Sequence, residues 1–176
     1  MKINRLLRFL LIFVVLCSNI ACDRISKHAV RQSIENNESI SVIGQYLTLT
    51  RVENTGAFLS FGEALPKIIK LIFLTIFPLV AVVLALVYIL IRYDLPIMRL
   101  IGICTIIGGG IGNLYDRTLY GSVTDFLHID FVIFQTGIFN MADVSVLMGF
   151  LLLFLEYYSK KAPLDSALTE TGISSR

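Results

Sequence analysis

LIFLTIFPLVAVVLALVYILI, residues 71–91, carries no charged side chain from end to end. At a rise of 1.5 Å per residue such a helix reaches about 31 Å, the depth of a bilayer's hydrocarbon core. It is apolar on every face, so it predicts a transmembrane helix over about 68–92 rather than an amphipathic surface helix. Pro78 removes one backbone donor inside it and marks a site for a kink. On its C-terminal side Arg92-Tyr93-Asp94-Leu95-Pro96 turns the chain, and a second apolar stretch predicts a helix over about 97–115. A third covers about 140–158, with Asp143 near its start, Glu156 near its end, and Tyr157, Tyr158, Lys160 and Lys161 as an interfacial anchor.

On the N-terminal side, Lys2, Arg5 and Arg8 precede an apolar run from Phe9 to Cys22. Its end, Asn19-Ile20-Ala21-Cys22, has the small residue before Cys of a bacterial lipoprotein cleavage site, so the run is either a signal peptide or a first transmembrane helix. Asn19 is polar where such sites favour Leu, and the rest of the chain is no exported soluble domain; both points favour a retained helix over about 4–28. Composition agrees: of 176 residues 56% are hydrophobic and 16% charged, against roughly 45–50% and about 25% for soluble domains. Disorder, collagen and a secreted disulfide scaffold are excluded. Cys17, Cys22 and Cys104 are odd in number and lie in or beside apolar stretches, which predicts buried thiols. The net charge of +2 and the lack of a basic run exclude a nucleic-acid partner.

The expected fold is therefore mainly α: a four-transmembrane-helix bundle forming one integral membrane domain over 1–161, followed by a disordered cytoplasmic tail over 162–176. The loop of about 29–66 is too long to lack structure. Ser39–Ile43 and Tyr46–Val52 alternate like strands around Gly44-Gln45, predicting a small extracytoplasmic β-sheet formed by the loop between helices 1 and 2. The Lys/Arg count nearly ties between the two sides, and Lys2, Arg5 and Arg8, with Arg92 and Arg99 in or beside a very short turn, favour both termini inside.

Polar groups within membrane spans cost several kcal/mol or pair with one another, and in this topology they gather at one end. Asp23 and Lys27 close helix 1; Asn113, Asp116 and Arg117 close helix 3; Asn140 and Asp143 open helix 4; Asn54 lies in the long loop. Each has a plain reading. Asp23 and Lys27, four apart, suit an ordinary surface pair worth about 0.3–0.5 kcal/mol. Gly108 and Gly112 suit close helix packing; the surrounding glycine run lacks the strand and the Lys-Ser/Thr end of a phosphate loop. Asn140 capping a helix, with Asp143 at its third position, accounts for both without chemistry. Asp125 resists such an account, because it stands in a short apolar connector with no evident partner. If Asp125 and Asp143 meet, they suit a pair of carboxylates sharing one proton. His28 and His128 are far apart and no ligand spacing occurs, so no metal is expected. An ion relay would place its carboxylates at mid-span, often within internal repeats, and neither feature is present. A lipoprotein or anchored binding module on the loop requires Cys22 as a mature N-terminus. A presenilin-type protease requires Asp where Asn113 stands.

Taken together, five ordered blocks resemble the signature of the lipoprotein signal peptidase (signal peptidase II) family. They are Asp23-x-x-x-Lys27, Asn54-Thr55-Gly56-Ala57-Phe58, Gly108-Gly109-x-x-Gly112-Asn113-x-x-Asp116-Arg117, Gly121-x-Val123-x-Asp125-Phe126, and Phe139-Asn140-x-Ala142-Asp143. Val146 stands where the family usually has Ile. The resemblance covers about residues 5–160 and implies an aspartyl endopeptidase of the bacterial inner membrane, with its active site near the extracytoplasmic face. Such an enzyme cuts prolipoproteins on the amino side of a diacylglyceryl-modified Cys. It implies Asp125 and Asp143 as the catalytic dyad, Asn54, Gly56, Asn113, Arg117 and Asn140 as substrate-binding or dyad-supporting residues, and Asp23, Lys27, Gly108, Gly112 and Asp116 as structural support. It also implies membrane lipid and globomycin-type cyclic peptide inhibitors as partners, no cofactor and a monomer.

Overall fold

The computed structural model describes residues 4–56, 65–131 and 133–170, with side chains described through residue 160. Among the described residues four helices are long and apolar enough to cross a bilayer: α1 (Arg5–Ser33), α2 (Lys67–Ile91), α3 (Ile97–Tyr120) and α4 (Met141–Glu170). A three-stranded antiparallel sheet, ordered β1 (Ser39–Ile43), β2 (Leu47–Asn54) and β3 (Val123–Ile129), sits at one end of the bundle. Ala57 and Phe58 of the second signature block, and Gly62, whose missing side chain would give the long loop backbone freedom, lie outside the described residues.

Phe73, Phe77 and Leu84 on α2 and Leu147 and Phe150 on α4 point away from the bundle and are largely exposed. An apolar belt of this extent is what lipid covers. The interior is built around α3. Ile12 of α1, Ile89 of α2, and Leu100, Cys104 and Ile107 of α3 form one buried cluster. Val30, Ile34 and Phe126 form another, where α1 meets the sheet. Cys17 and Cys22 depart from the expectation of buried thiols: both are exposed on α1, and only Cys104 is buried. Hydropathy is the same for a residue facing lipid and one facing protein, so it does not separate them. α1 runs unbroken through Ala21-Cys22 and five residues beyond His28.

Backbone chemistry explains several local departures. α2 opens with a short α-helical turn, widens to a π-helical stretch over Leu71–Ile76, and resumes as α-helix with Pro78 in its first turn. Phe77 N–H donates back to the Ile72 carbonyl, whereas Pro78 has no N–H to donate to that preceding turn, and the wider π-helical stretch lies directly before it. α3 stops at Gly121, whose φ of 73° is the left-handed conformation glycine adopts freely, and whose N–H donates to the Arg117 carbonyl at 3.1 Å. The helical backbone of α4 continues to Glu170, into the stretch read from composition as a disordered tail; Ala162, Leu164, Ala167 and Leu168 are strong helix formers.

The sheet extends past the loop between the first two helices. Its third strand comes from the connector between α3 and α4, pairing Val52 with Asp125 and Asn54 with Val123. At the opposite end of the bundle Arg8 is buried, and its Nη2 donates to the carbonyls of Ile89 and Arg92, both at 2.6 Å, which ties α1 to the end of α2. Arg99 grips Glu156 through two nitrogens there, joining α3 to α4.

Glycines let α3 approach its neighbours on two sides. A Cβ at Gly108 would lie 2.7 Å from Asn19 Cβ on α1, and one at Gly109 would lie 2.4 Å from the Ala142 carbonyl oxygen on α4. At Gly110 it would meet only a methyl of Val82, at 2.8 Å. Gly109→Ala should therefore force α3 and α4 apart and cost about 1–3 kcal/mol. Gly110→Ala, with the same gain in helix propensity and a side chain as its only obstacle, should cost less. Thermal unfolding of both variants in detergent checks the order.

Candidate active site

Three connections bring distant polar residues to the sheet-bearing end of the bundle. In the β2–β3 register Asn54 and Asp125 are diagonal neighbours on one face, and Asn54 Nδ2 donates to Asp125 Oδ2 at 2.8 Å. After β3 the chain folds back, Phe139 N–H donating to the Leu127 carbonyl at 2.9 Å, while the Phe126 and Leu127 N–H groups donate to the Phe139 carbonyl. That short pairing delivers Asn140 beside Asp125, and Asn140 Nδ2 donates to Asp125 Oδ1 at 2.6 Å.

Asn140 is also where α4 begins. Asp143 N–H donates to Asn140 Oδ1 and Asn140 N–H donates to Asp143 Oδ2, each at 3.1 Å. This is a reciprocal capping box with Asp in the usual Glu position. The capping expected of Asn140 and Asp143 is present, and it also aims Asp143 at the cavity. The remaining carboxylate oxygen, Oδ1, accepts from Asn113 Nδ2 at 2.9 Å. Asp125 and Asp143, 18 positions apart, thus hang on the two ends of one asparagine. Both line a cavity of about 230 Å³ with Asn54, Leu74, Pro78, Gly110, Asn113, Leu114, Arg117, Val123 and Asn140.

Behind that cavity lies a buried ionic cluster. Lys27 Nζ meets Asp23 Oδ1 at 2.9 Å, Asp116 Oδ2 at 3.0 Å and Asn113 Oδ1 at 3.0 Å, which uses all three ammonium donors. Asp23 and Lys27 are both 0% exposed. The surface pair that their spacing suggests is therefore replaced by a buried ion pair, because α3 and the start of α4 pack over them. Asp23 Oδ1 further accepts the Ala142 N–H at 3.0 Å, satisfying another donor in the first turn of α4. Gly112 makes this possible, since a Cβ there would stand 2.5 Å from Asp23 Oδ2.

Asp116 also takes Arg24 at 2.8 Å and Arg31 at 3.1 Å. Arg31 Nε donates to Thr124 Oγ1, which bonds Glu53 Oε1, linking the cluster to the sheet. Arg24, Arg31, Glu53 and Thr124 escaped the sequence reading as parts of this assembly. The spacing of Asp23, Lys27 and Arg31 at steps of four, which aligns them on one helix face, was a usable sign of it.

Arg117 lines the same cavity and its Nη2 donates to the Gly56 carbonyl at 2.7 Å; Gly56 N–H in turn donates to Asn54 Oδ1 at 2.8 Å. Asp125 is 4% exposed. Burial pushes its carboxyl up to about 6 against the pull of the Asn54 and Asn140 amides, and the neighbouring Asp143 adds to the rise. Among the described residues no group of His, Cys, Asp and Glu is arranged to hold a metal ion.

The fold and site define a polytopic membrane protein with two carboxylates, the buried Asp125 and the half-buried Asp143, on one cavity at one end of its helices. Two solved bacterial membrane enzyme structures share this fold. One has a TM-score of 0.75 at 22% identity over 86% of this chain and 90% of its own. The other has 0.71 at 22%, over 83% and 91%. In sequence, the family model for signal peptidase (SPase) II matches residues 14–159. The lipoprotein signal peptidase of Moorella thermoacetica is 36% identical over 76% of this chain and 83% of its own length. That of Bacillus subtilis is 33% identical over 84% and 92%. The chain belongs to the signal peptidase II family.

Removing the Lys27 ammonium would leave two buried carboxylates facing each other. Lys27→Met should accordingly cost about 3–5 kcal/mol, read as a fall in thermal midpoint. Lys27→Met combined with Asp116→Asn should lose less than the sum of the two single changes, because each removes part of the other's imbalance.

Proposed function

We propose that this membrane peptidase is an aspartic endopeptidase that removes signal peptides from diacylglyceryl-modified prolipoproteins, cutting on the amino side of the lipidated Cys. The observation that carries the reading is the pair Asp125 and Asp143 on one cavity, bridged by Asn140. Membership in the signal peptidase II family supports the substrate, as do relatives named lipoprotein signal peptidase.

In this mechanism the dyad holds one proton between its two carboxyl groups. Asp125, raised to about 6 by burial, keeps the proton and hydrogen-bonds the scissile carbonyl oxygen. Asp143, steadied by the N–H groups of Asn113 and Asn140, acts as base. Water adds to the carbonyl carbon, giving its proton to Asp143 while the Asp125 proton passes to the carbonyl oxygen. The tetrahedral intermediate collapses as Asp143 protonates the leaving amine nitrogen and the C–N bond breaks. A proton from the intermediate's hydroxyl then returns to Asp125. Arg117 supplies positive charge beside the intermediate, and Lys27 holds Asn113 in register.

A substrate that is itself a membrane helix meets such a site laterally, at the end of α3 and α4. With cytoplasmic termini, that end lies on the extracytoplasmic side of the inner membrane, consistent with Arg5, Arg8, Arg92 and Arg99 at the other end of the bundle. Globomycin-type cyclic peptides would compete for the same cavity, and a monomer contains the whole site.

The deciding experiment is cleavage of a purified prolipoprotein, with and without its diacylglyceryl group, in detergent. Wild type should cut only the lipidated form, and Asp125→Asn or Asp143→Asn should lose at least roughly 10²–10⁴-fold in rate while remaining folded. Full activity in either variant overturns the dyad. The acid requires its proton, so kcat/KM should fall as pH rises through about 6, by about tenfold per pH unit once Asp125 is ionised. A flat profile from pH 5 to pH 8 would remove Asp125 from the acid role.

A further inference from the structure

A second cavity, of about 340 Å³, adjoins the first and shares Leu74 and Arg117 with it. Thr55, Lys67, Lys70, Leu71, Thr75 and Gly121 complete its lining. Three cations therefore face one space, and no carboxylate appears among the described residues that line it. Lys70 Nζ reaches Thr55 Oγ1 at 3.2 Å, a neutral partner. Lys67 makes no ion pair with any described residue. Arg117 spends one nitrogen on the Gly56 carbonyl, and its guanidinium carries further N–H donors.

Arg117 also faces Asp125 and Asp143 across the first cavity, but Lys67 and Lys70 meet no carboxylate among the described residues of this lining, so the lysine side of the space favours an anion. Its depth and walls narrow the class. Lys67 and Lys70 stand in the first turn of the span Lys67–Ile91, at the end bearing the sheet, where lipid headgroups lie. Leu71 and Leu74 form an apolar wall directly below them. Leu71 is half exposed and continues into the outward face of Ile72, Phe73 and Ile76. The ligand needs a negative head level with the lysines and an apolar body running down α2.

We propose that this cavity is a binding site for the phosphate headgroup of an anionic phospholipid, drawn from the leaflet on the sheet-bearing side. The phosphodiester sits among Lys67, Lys70 and Arg117, and the acyl chains lie along Leu71 and Leu74. Arg117 also holds the Gly56 carbonyl beside Asn54, so the bound lipid adjoins the segment that supports Asp125. The site shares Arg117 and Leu74 with the peptidase cavity, and the test reads lipid retention rather than cleavage.

The test places the full chain in nanodiscs of phosphatidylcholine and phosphatidylglycerol at equal mole fraction and counts retained lipids by native mass spectrometry. Wild type should keep one phosphatidylglycerol in preference to phosphatidylcholine. Lys67→Gln/Lys70→Gln should weaken that retention by roughly tenfold or more, and Lys67→Arg/Lys70→Arg should preserve it. Lys160→Gln, which removes an interfacial cation from the other end of the bundle, should change nothing. Equal retention of the two lipids by wild type overturns the proposal, as does an equal loss in Lys160→Gln, which would mark a general charge effect. Displacement of the lipid by millimolar inorganic phosphate overturns the lipid assignment in favour of a free-anion site.

Discussion

A single ammonium group, sealed from solvent, holds the functional end of this molecule together. Lys27 comes from α1, its acceptors Asp116 and Asn113 from α3, and Asp23 extends the bond to the first turn of α4. A lone buried ion would be prohibitively costly in this setting, and so would two carboxylates without it. Arg24, Lys27, Arg31 and Arg51 stand against Asp23, Glu53 and Asp116, so every carboxylate of the cluster faces a cation. Charge pairing in a low-dielectric interior tolerates few arrangements, which is why three helices and a sheet meet there in one way.

The paired aspartates inherit their geometry from that cluster. Lys27 accounts for the carbonyl side of the Asn113 amide, leaving its N–H₂ to point at Asp143. Asn140 works in the same two-ended fashion, donating to Asp125 and accepting from the Asp143 N–H. Asparagine suits these positions because its side chain offers donor and acceptor at once without charge. Neither Asp nor Leu of similar size would serve both neighbours. The glycines of α3 belong to the same construction, since Gly109 and Gly112 admit α4 and Asp23 at distances that any Cβ would forbid.

Much of this was legible in sequence, and the limits have physical causes. Uninterrupted hydropathy marked the four spans, and their order brought Asp23, Asn54, Asn113, Arg117, Asn140 and Asp143 to one end before any packing was known. The Asp23 and Lys27 spacing marked a shared helix face and left open what covered it, so a surface pair and a buried ion pair looked alike. β3 was missed because seven residues of connector carry too little alternation to name a partner strand far back in the chain, before α2. The π-helical stretch before Pro78 and the outward placement of Cys17 and Cys22 were equally invisible, since both depend on what neighbours each side chain.

By itself, then, the amino-acid sequence determined the bilayer-spanning architecture, the end of the bundle where polar groups collect, and a five-block signature of the signal peptidase II family. These are local or ordered properties: hydropathy over a span, spacing along a helix, motifs in series. Only the tertiary structure decided that Asp125 and Asp143 share a cavity through Asn140, that Lys27 is buried at the hub of the ionic cluster, and that Lys67, Lys70 and Arg117 face one space. Those depend on which surfaces are brought into contact. The contacts arise from glycine-permitted approach and charge compensation between segments far apart in the chain.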